Sequence, residues 1–357
     1  MIKKHPFIQL ITLTFFLVIA SQLVAQIPAG YYNGTAGLSG VTLKNKLHDI
    51  ISANTVELSY SGLWTAYPTT DERIDGKLWD MYSDIPGGTA PYTFTFGTDQ
   101  CGSYSGEADC YNREHSVPAS WFNDNAPMYT DLFHVVPTDG YVNNRRSNFP
   151  LGDVASASWT SQNGSKLGSS AVPGYVGTVF EPIDSFKGDF ARIYFYMATR
   201  YKDELPSWSA DPFSGSDFSS WAKNMFLIWN ALDPVSAKEI DRNNYVHDLQ
   251  NNRNPYVDNP QWINDVWGFP VGMAENENKL IARIYPIPAQ DNLTIDLMNK
   301  TMSTSLTIIQ LDGKIVFSTT TNQSKINIEL NSLANGTYFL TIQNDMGFFK
   351  EKVVVLR

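Results

Sequence analysis

Between Asn112 and Asn148 the sequence gathers side chains of the kinds that cleave phosphate esters: Glu114 beside His115, then Asp131 and His134, then Asn143 with Arg145 and Arg146. The Glu114 carboxylate and the Asn143 carboxamide offer hard oxygens to Mg²⁺ or a similar divalent cation, which keeps several waters and accepts a phosphate oxygen as a further ligand. A neutral His115 suits removal of a proton from an attacking water. Arg145 or Arg146 can hold the phosphate through paired N–H donors. Asp131 and His134 fall outside this first set, as a carboxylate able to orient an imidazole and a histidine behind the site.

For these residues to converge, the chain must fold back on itself. A short strand through Glu114 and His115, a turn over 137–140 and a helix starting near Asp139 would set Asn143 one turn into the helix, beside the strand. Strand alternation sends Glu114 and His115 to opposite sides, so the pattern requires a bend there. Apolar spacing predicts helices over 38–51, 185–201 and 218–230. In the second, Phe186, Phe190, Ile193, Tyr194 and Met197 share a face, with Asp189 early and Arg200 late. The Ser- and Gly-rich stretch 159–177 reads as a long surface loop. Trp121, Trp221, Trp229, Trp262 and Trp267 read as core, His48 and His247 as structural, and Asn254-Pro255-Tyr256 as a turn.

Lys3 and Lys4 precede an apolar run from Phe7 to Ala20, and Leu23-Val24-Ala25 stands before Gln26. That is the layout of a secretory signal peptide over 1–25. The run falls short of a bilayer span, so we expect no membrane anchor and a chain exported through the periplasm to a secreted or cell-surface location. Loss of two lysines leaves 24 basic against 36 acidic residues, so the net charge goes from −10 to −12. Such a chain does not capture polyanions by bulk charge, and chemistry on nucleic acid must rest on a local site or a metal. With 17% charged and 13% aromatic residues it is neither a disordered chain nor a coiled coil. Export favours a Cys101–Cys110 disulfide over two reduced cysteines, closing just before the Glu114-His115 segment.

After a polar stretch at Ala274–Lys279 the pattern changes to short alternating runs around Leu293, Leu306, Ile315, Ile326, Tyr338 and Val353, with turns at Asp312-Gly313, Asn335-Gly336 and Met346-Gly347. This predicts a small antiparallel β-sandwich. The tail resembles the C-terminal sorting domain of the type IX secretion system, on Tyr285-Pro286-Ile287-Pro288-Ala289, Leu311-Asp312-Gly313-Lys314, Leu333-Ala334-Asn335-Gly336-Thr337-Tyr338-Phe339 and the basic-apolar last strand. The resemblance implies that this secretion machinery is a partner and that the domain is removed or used for surface attachment. A carbohydrate-binding sandwich is the alternative; it needs exposed aromatics, and Tyr338 and Phe339 fit a core strand better.

Three ordered motifs carry a second resemblance: Asn112-Arg113-Glu114-His115-Ser116-Val117-Pro118, the stretch from Asp131 to Asn148, and Asp241-Arg242-Asn243 with Gln250 through Asp258. Over roughly 35–268 they resemble the secreted endonuclease I family of ββα-metal nucleases. The resemblance implies that Glu114 and Asn143 bind one divalent cation, Mg²⁺ first with Mn²⁺ or Ca²⁺ as alternatives, and that His115 is the general base. It also implies cleavage of DNA and often RNA with little sequence preference, leaving 5′ phosphates. Many members have His where this chain has Phe133, and some carry a phosphate-holding arginine between the two motifs. No arginine lies between His115 and Arg145 here, which leaves Arg145 and Arg146 as inferred substitutes. The expected architecture is α+β: a signal peptide (1–25), an endonuclease I-like domain with a ββα metal site (26–270), a linker (271–281) and the sorting domain (282–357), acting as a monomer. No His-Glu-x-x-His zinc pattern or Gly-x-Ser-x-Gly elbow near a histidine is present. The rival reading is a non-catalytic secreted surface-binding or adhesive protein that retains the fold.

Overall fold

The computed structural model describes residues 27–268, 282–297, 303–310, 314–344 and 347–357. The expected signal peptide and linker lie outside the described residues.

Helix α1 (Gly40–Ser52) forms where the spacing predicts and buries Leu43, Leu47 and Ile51. The short α2 (Gly62–Thr70) follows. The centre of the first domain is a two-stranded antiparallel ribbon, β1 (Tyr111–His115) with β2 (Val135–Asp139), in which Glu114 faces Val136 and His115 faces Val135. All five residues of β2 are buried. The turn expected over 137–140 is absent: β2 runs straight into α3 (Gly140–Arg146). Pro137 sits within the strand opposite Arg113, a place where a two-stranded ribbon tolerates a missing N–H. Asp139 caps α3, its carboxylate accepting the Val142 N–H at 2.9 Å. The Cys101–Cys110 disulfide is formed and lies against the first residue of this helix. A Cβ on Gly140 would come within 2.6 Å of Cys101 Sγ, so only glycine fits there.

The stretch 159–177 is not one long loop, since 159–160 and 166–170 are strand. Strands β3 (Val154–Thr160), β4 (Lys166–Ser170) and β5 (Thr178–Glu181) form an antiparallel sheet. Its residues gave no alternation because β3 is mostly exposed on both faces. Gly168 is there for backbone contact, since a Cβ would strike the Ser156 carbonyl.

Helix α4 (Asp184–Arg200) is buried nearly all round and forms the axis of the domain. A minimal ribbon, β6 (Phe213–Ser214) with β7 (Asp217–Phe218), leads to α5 (Ser220–Leu232), which packs on α4. Helix α6 (Ala237–Gln250) opens with a Ser236/Glu239 capping box. Its buried side includes Glu239, Arg242, Asn243, Asn244 and Gln250, so it shows no apolar period to read. The predicted turn at Asn254 is the cap of α7 (Pro255–Asp258), and α8 (Gln261–Trp267) closes the domain. Trp121, Trp229 and Trp267 are buried, while Trp221 and Trp262 pack on the core partly exposed.

The tail is a β-sandwich. One sheet has β8 (Ala282–Tyr285), β9 (Asn292–Leu297) and β12 (Lys325–Glu329); the other has β10 (Thr304–Gln310), β11 (Ile315–Thr321), β13 (Gly336–Asn344) and β14 (Gly347–Val355). Leu293, Ile295, Leu306, Ile308, Leu340 and Ile342 fill its core. Tyr338 is buried as expected. Residues 312, 313 and 346 of the expected turns lie outside the described residues. Among the described residues no helix is long and apolar enough to cross a membrane.

Candidate active site

The β1–β2–α3 unit brings strand and helix side chains together. Glu114 is 2% exposed and Arg146 1% exposed. Arg146 Nη1 donates to Glu114 Oε1 and to the His115 carbonyl, both at 2.8 Å, and its Nη2 donates to the Ser116 carbonyl at 2.5 Å. The Tyr82 hydroxyl donates to the same Oε1 at 2.8 Å. Burial pushes the Glu114 carboxyl up, with the Arg146 charge and the Tyr82 hydroxyl opposing it. Burial alone would pull Arg146 down, but the Glu114 carboxylate together with Tyr82 and Tyr194 reverses this and holds it above the usual arginine range.

Asn143 sits one turn into α3. Its Nδ2 donates to Asn112 Oδ1 at 2.8 Å and to the Arg113 carbonyl at 3.4 Å. Glu114 Oε2 and Asn143 Oδ1 accept no hydrogen bond from the described residues, so each keeps lone pairs free. No group of three or more His, Cys, Asp or Glu among the described residues can hold a metal. A cation here would rest on one carboxylate, one carboxamide and water, a donor set that suits Mg²⁺ with its retained waters.

His115 Nε2 lies 3.0 Å from the Tyr129 carbonyl. A carbonyl only accepts, so Nε2 carries the hydrogen and Nδ1 the lone pair. The ring stacks on Tyr129 at 4.9 Å, with Tyr60 at 6.1 Å and His134 at 5.6 Å between centroids. Burial lowers its pKa to about 4, the Tyr129 carbonyl opposes, and Arg146 and Arg113 add to the lowering. The imidazole is therefore neutral at pH 7. The bend required by alternation falls just after His115, at 116–117, rather than between Glu114 and His115. The two side chains accordingly have different neighbours, and Arg146 joins them by binding the carboxylate of one and the carbonyl of the other.

The places of Arg146 and Asp131 differ from the expectation, and that of His134 does not. Arg146, expected at the phosphate, is buried and committed to Glu114 and two carbonyls; a helix of under two turns packed on the ribbon turns this residue inward with Asn143. Asp131 does not orient an imidazole: its Oδ2 accepts from Tyr196, Tyr201 and Arg200, and its Oδ1 from Gln250 and the Phe133 N–H. His134 is fully buried behind His115, with Nε2 on the Met128 carbonyl at 2.6 Å and Nδ1 unpartnered. Arg145 is exposed, donating to the Tyr141 hydroxyl at 2.5 Å and lying over the Tyr141 and Trp159 rings. At about 100° per helical residue it stands roughly 200° around α3 from Asn143.

Tyr82 and Asp80 were not anticipated. Asp80 accepts from the Tyr82 N–H, the Ser83 hydroxyl and the Asp139 N–H, which fixes both the loop that aims Tyr82 and the start of α3. Burial, then the nearby Asp139 charge, pushes its carboxyl up to about 8. The Asp80-x-Tyr82-Ser83 spacing signals an Asx-type turn, but nothing in the sequence connects that turn to Glu114.

Residues 39–261 match the sequence model described as Endonuclease I, and residues 283–356 match that of the secretion system C-terminal sorting domain. The chain is 33% identical over 244 residues to an extracellular ribonuclease of Bacillus amyloliquefaciens, covering 66% of this chain and 78% of that protein. It is 32% identical over 246 residues to an extracellular ribonuclease of Bacillus subtilis, again covering 66% and 78%. An endonuclease-1 of Buchnera aphidicola is 33% identical over 128 residues, 36% of this chain and 46% of that protein. With most of one domain matched and the Glu114, His115 and Asn143 residues set on a β1–β2–α3 unit within it, the chain belongs to the Endonuclease I family and ends in a secretion system sorting domain.

Proposed function

We propose that the protein is a secreted, metal-dependent endonuclease that hydrolyses phosphodiester bonds of DNA, and of RNA as a second substrate, with His115 as general base. The observation that carries this reading is the state of His115: neutral, with Nε2–H fixed on the Tyr129 carbonyl and Nδ1 left as the proton acceptor. Water attacking the phosphorus gives its proton to Nδ1 as the P–O3′ bond breaks, the 5′ side keeps the phosphate and the departing O3′ takes a proton from water, while the Tyr129 carbonyl holds the ring's tautomer. Held by Glu114 Oε2 and Asn143 Oδ1, a divalent cation such as Mg²⁺ would supply positive charge to the phosphate as it becomes more negative. Arg146 acts as a positioning residue, locking the Glu114 carboxylate and the carbonyls of 115 and 116. Arg145 contacts substrate away from the reacting phosphate. The tail addresses the chain to the outside of the cell, where the Cys101–Cys110 disulfide persists.

The test uses the purified full chain on plasmid DNA, single-stranded DNA and structured RNA with Mg²⁺, Mn²⁺ or Ca²⁺. Cleavage that stops on chelation and restarts with one of these ions is expected, with 5′-phosphate ends. No cleavage of any substrate with any of the three ions overturns the reading.

A further inference from the structure

The first domain contains eight arginines. Six are ion-paired: Arg73 with Asp84, Arg146 with Glu114, Arg192 with Glu239, Arg200 with Asp131, Arg242 with Asp71 and Arg253 with Asp258. Arg113 and Arg145 have no carboxylate partner among the described residues. Each is set against a tyrosine and a tryptophan instead. The Arg113 guanidinium lies 3.4 Å from the Tyr60 ring centre and 4.5 Å from that of Trp64, closer than Arg145 to Tyr141 and Trp159 at 5.0 and 5.9 Å.

Arg113 precedes His115 by two residues on β1, so both leave the strand on the same side. Tyr60 lies under the guanidinium and also faces the His115 ring. Of the five N–H donors of an arginine, Arg113 directs one to the Tyr60 carbonyl at 2.7 Å. The others meet no acceptor among the described residues, and the residue is partly exposed. The rings hold the planar group in one orientation, which reduces the rotamer freedom it would lose on binding an anion. A fixed cation with unused donors, beside a general base and in a chain of net charge −10, is built to receive an anionic group from outside the protein.

We infer that Arg113, clamped by Tyr60 and Trp64, holds a phosphate of the nucleic-acid strand on the His115 side of β1, the role that the buried Arg146 cannot fill. This rests on the nuclease reading and adds to it the cation that binds the substrate. The contact is charge-assisted and forked, and so contributes more than a neutral hydrogen bond.

The experiment compares full-length wild type, Arg113→Met and Arg113→Lys. Binding of a short fluorescein-labelled single-stranded DNA is followed by anisotropy in chelator across a salt series, and cleavage kinetics are followed with Mg²⁺. Arg113→Met is expected to raise Kd and KM about tenfold or more. It should lower the slope of log affinity against log salt by about one phosphate contact, with kcat less affected. Arg113→Lys should recover the slope but only part of the affinity, because the ammonium keeps the charge and loses the stacked fork. Arg113→Met with the Kd, KM and salt slope of wild type overturns the inference. Should Arg113→Met fail to fold by circular dichroism, Arg113→Lys decides, and wild-type affinity and KM in that variant overturn it. The nuclease reading fails in a different way, through a wild type that cuts nothing with any ion. A wild type that binds without cutting, with an Arg113-dependent salt slope, still supports the contact.

Discussion

On the side of β1 that faces α3, Glu114 is closed in by Arg146 and Tyr82. On the other side Arg113 and His115 lie partly exposed against the rings of Tyr60 and Tyr129. The first side resembles a protein interior in which nearly every strong donor has an acceptor, and such networks fix geometry. The second keeps donors and a lone pair unspent, which is what substrate chemistry needs. Alternation along one strand thus sorts a buried, paired network from a partly exposed set. On the closed side Glu114 Oε2 and Asn143 Oδ1 accept no hydrogen bond from the described residues, and these are the two oxygens proposed to hold a cation.

The contrast can be broken from either side. The largest effect is expected on the open side: His115→Ala should lose about two to four orders of magnitude in cleavage rate, as for loss of a general base. Its thermal unfolding midpoint should stay near that of wild type. A variant that keeps its rate, or that unfolds, removes the distinction. On the closed side Arg146→Met leaves the Glu114 carboxylate buried and unpaired, and urea denaturation should show a loss of about 3–5 kcal/mol. A loss under one kcal/mol would mean that the pair holds nothing in place.

Two smaller effects sharpen the picture. Replacing both Cys101 and Cys110 by serine should cost about 2–3 kcal/mol on chain-entropy grounds. Cleavage should fall further than the unfolded fraction accounts for, since the bond abuts the first residue of α3. Equal specific activity of the folded fractions would count against that coupling. The smallest effect concerns acid. Burial lowers His134 to about 3, so the folded chain keeps it neutral while the unfolded chain protonates it near 6.5. Stability from this group is complete above pH 6.5 and declines as pH falls toward 3. Between about pH 7.5 and 5.5 the loss is about 1 kcal/mol, by linkage. The difference between wild-type and His134→Gln melts at these two pH values measures it, and parallel curves would refute it.

How far the sequence could be read followed the physics of each element. Helices α1, α4 and α5 bury apolar faces and are visible as periodicity; α6 buries Glu239, Arg242 and Asn243, whose partners lie far along the chain. The sheet of β3 to β5 hid behind serine and glycine because its first strand is exposed and its backbones approach closely at Gly168. Glu114, His115 and Asn143 could be named because motif order places them on a strand and a helix. Arg146 and Arg145 could not be told apart, although i,i+3 spacing from Asn143 puts Arg146 on the ribbon side. Tyr82 acts on Glu114 from 32 residues away, and Arg113 drew no attention because its value lies in two rings supplied by the α2 region.

The contact between Gly140 and the disulfide ties the loop at Cys101 to the first residue of the helix that carries Asn143 and Arg146. Where thiols stay reduced that tie is not made, and the start of the helix would rest on its Asp139 cap and its packing. The cysteine-to-serine comparison gives the strength of this brace.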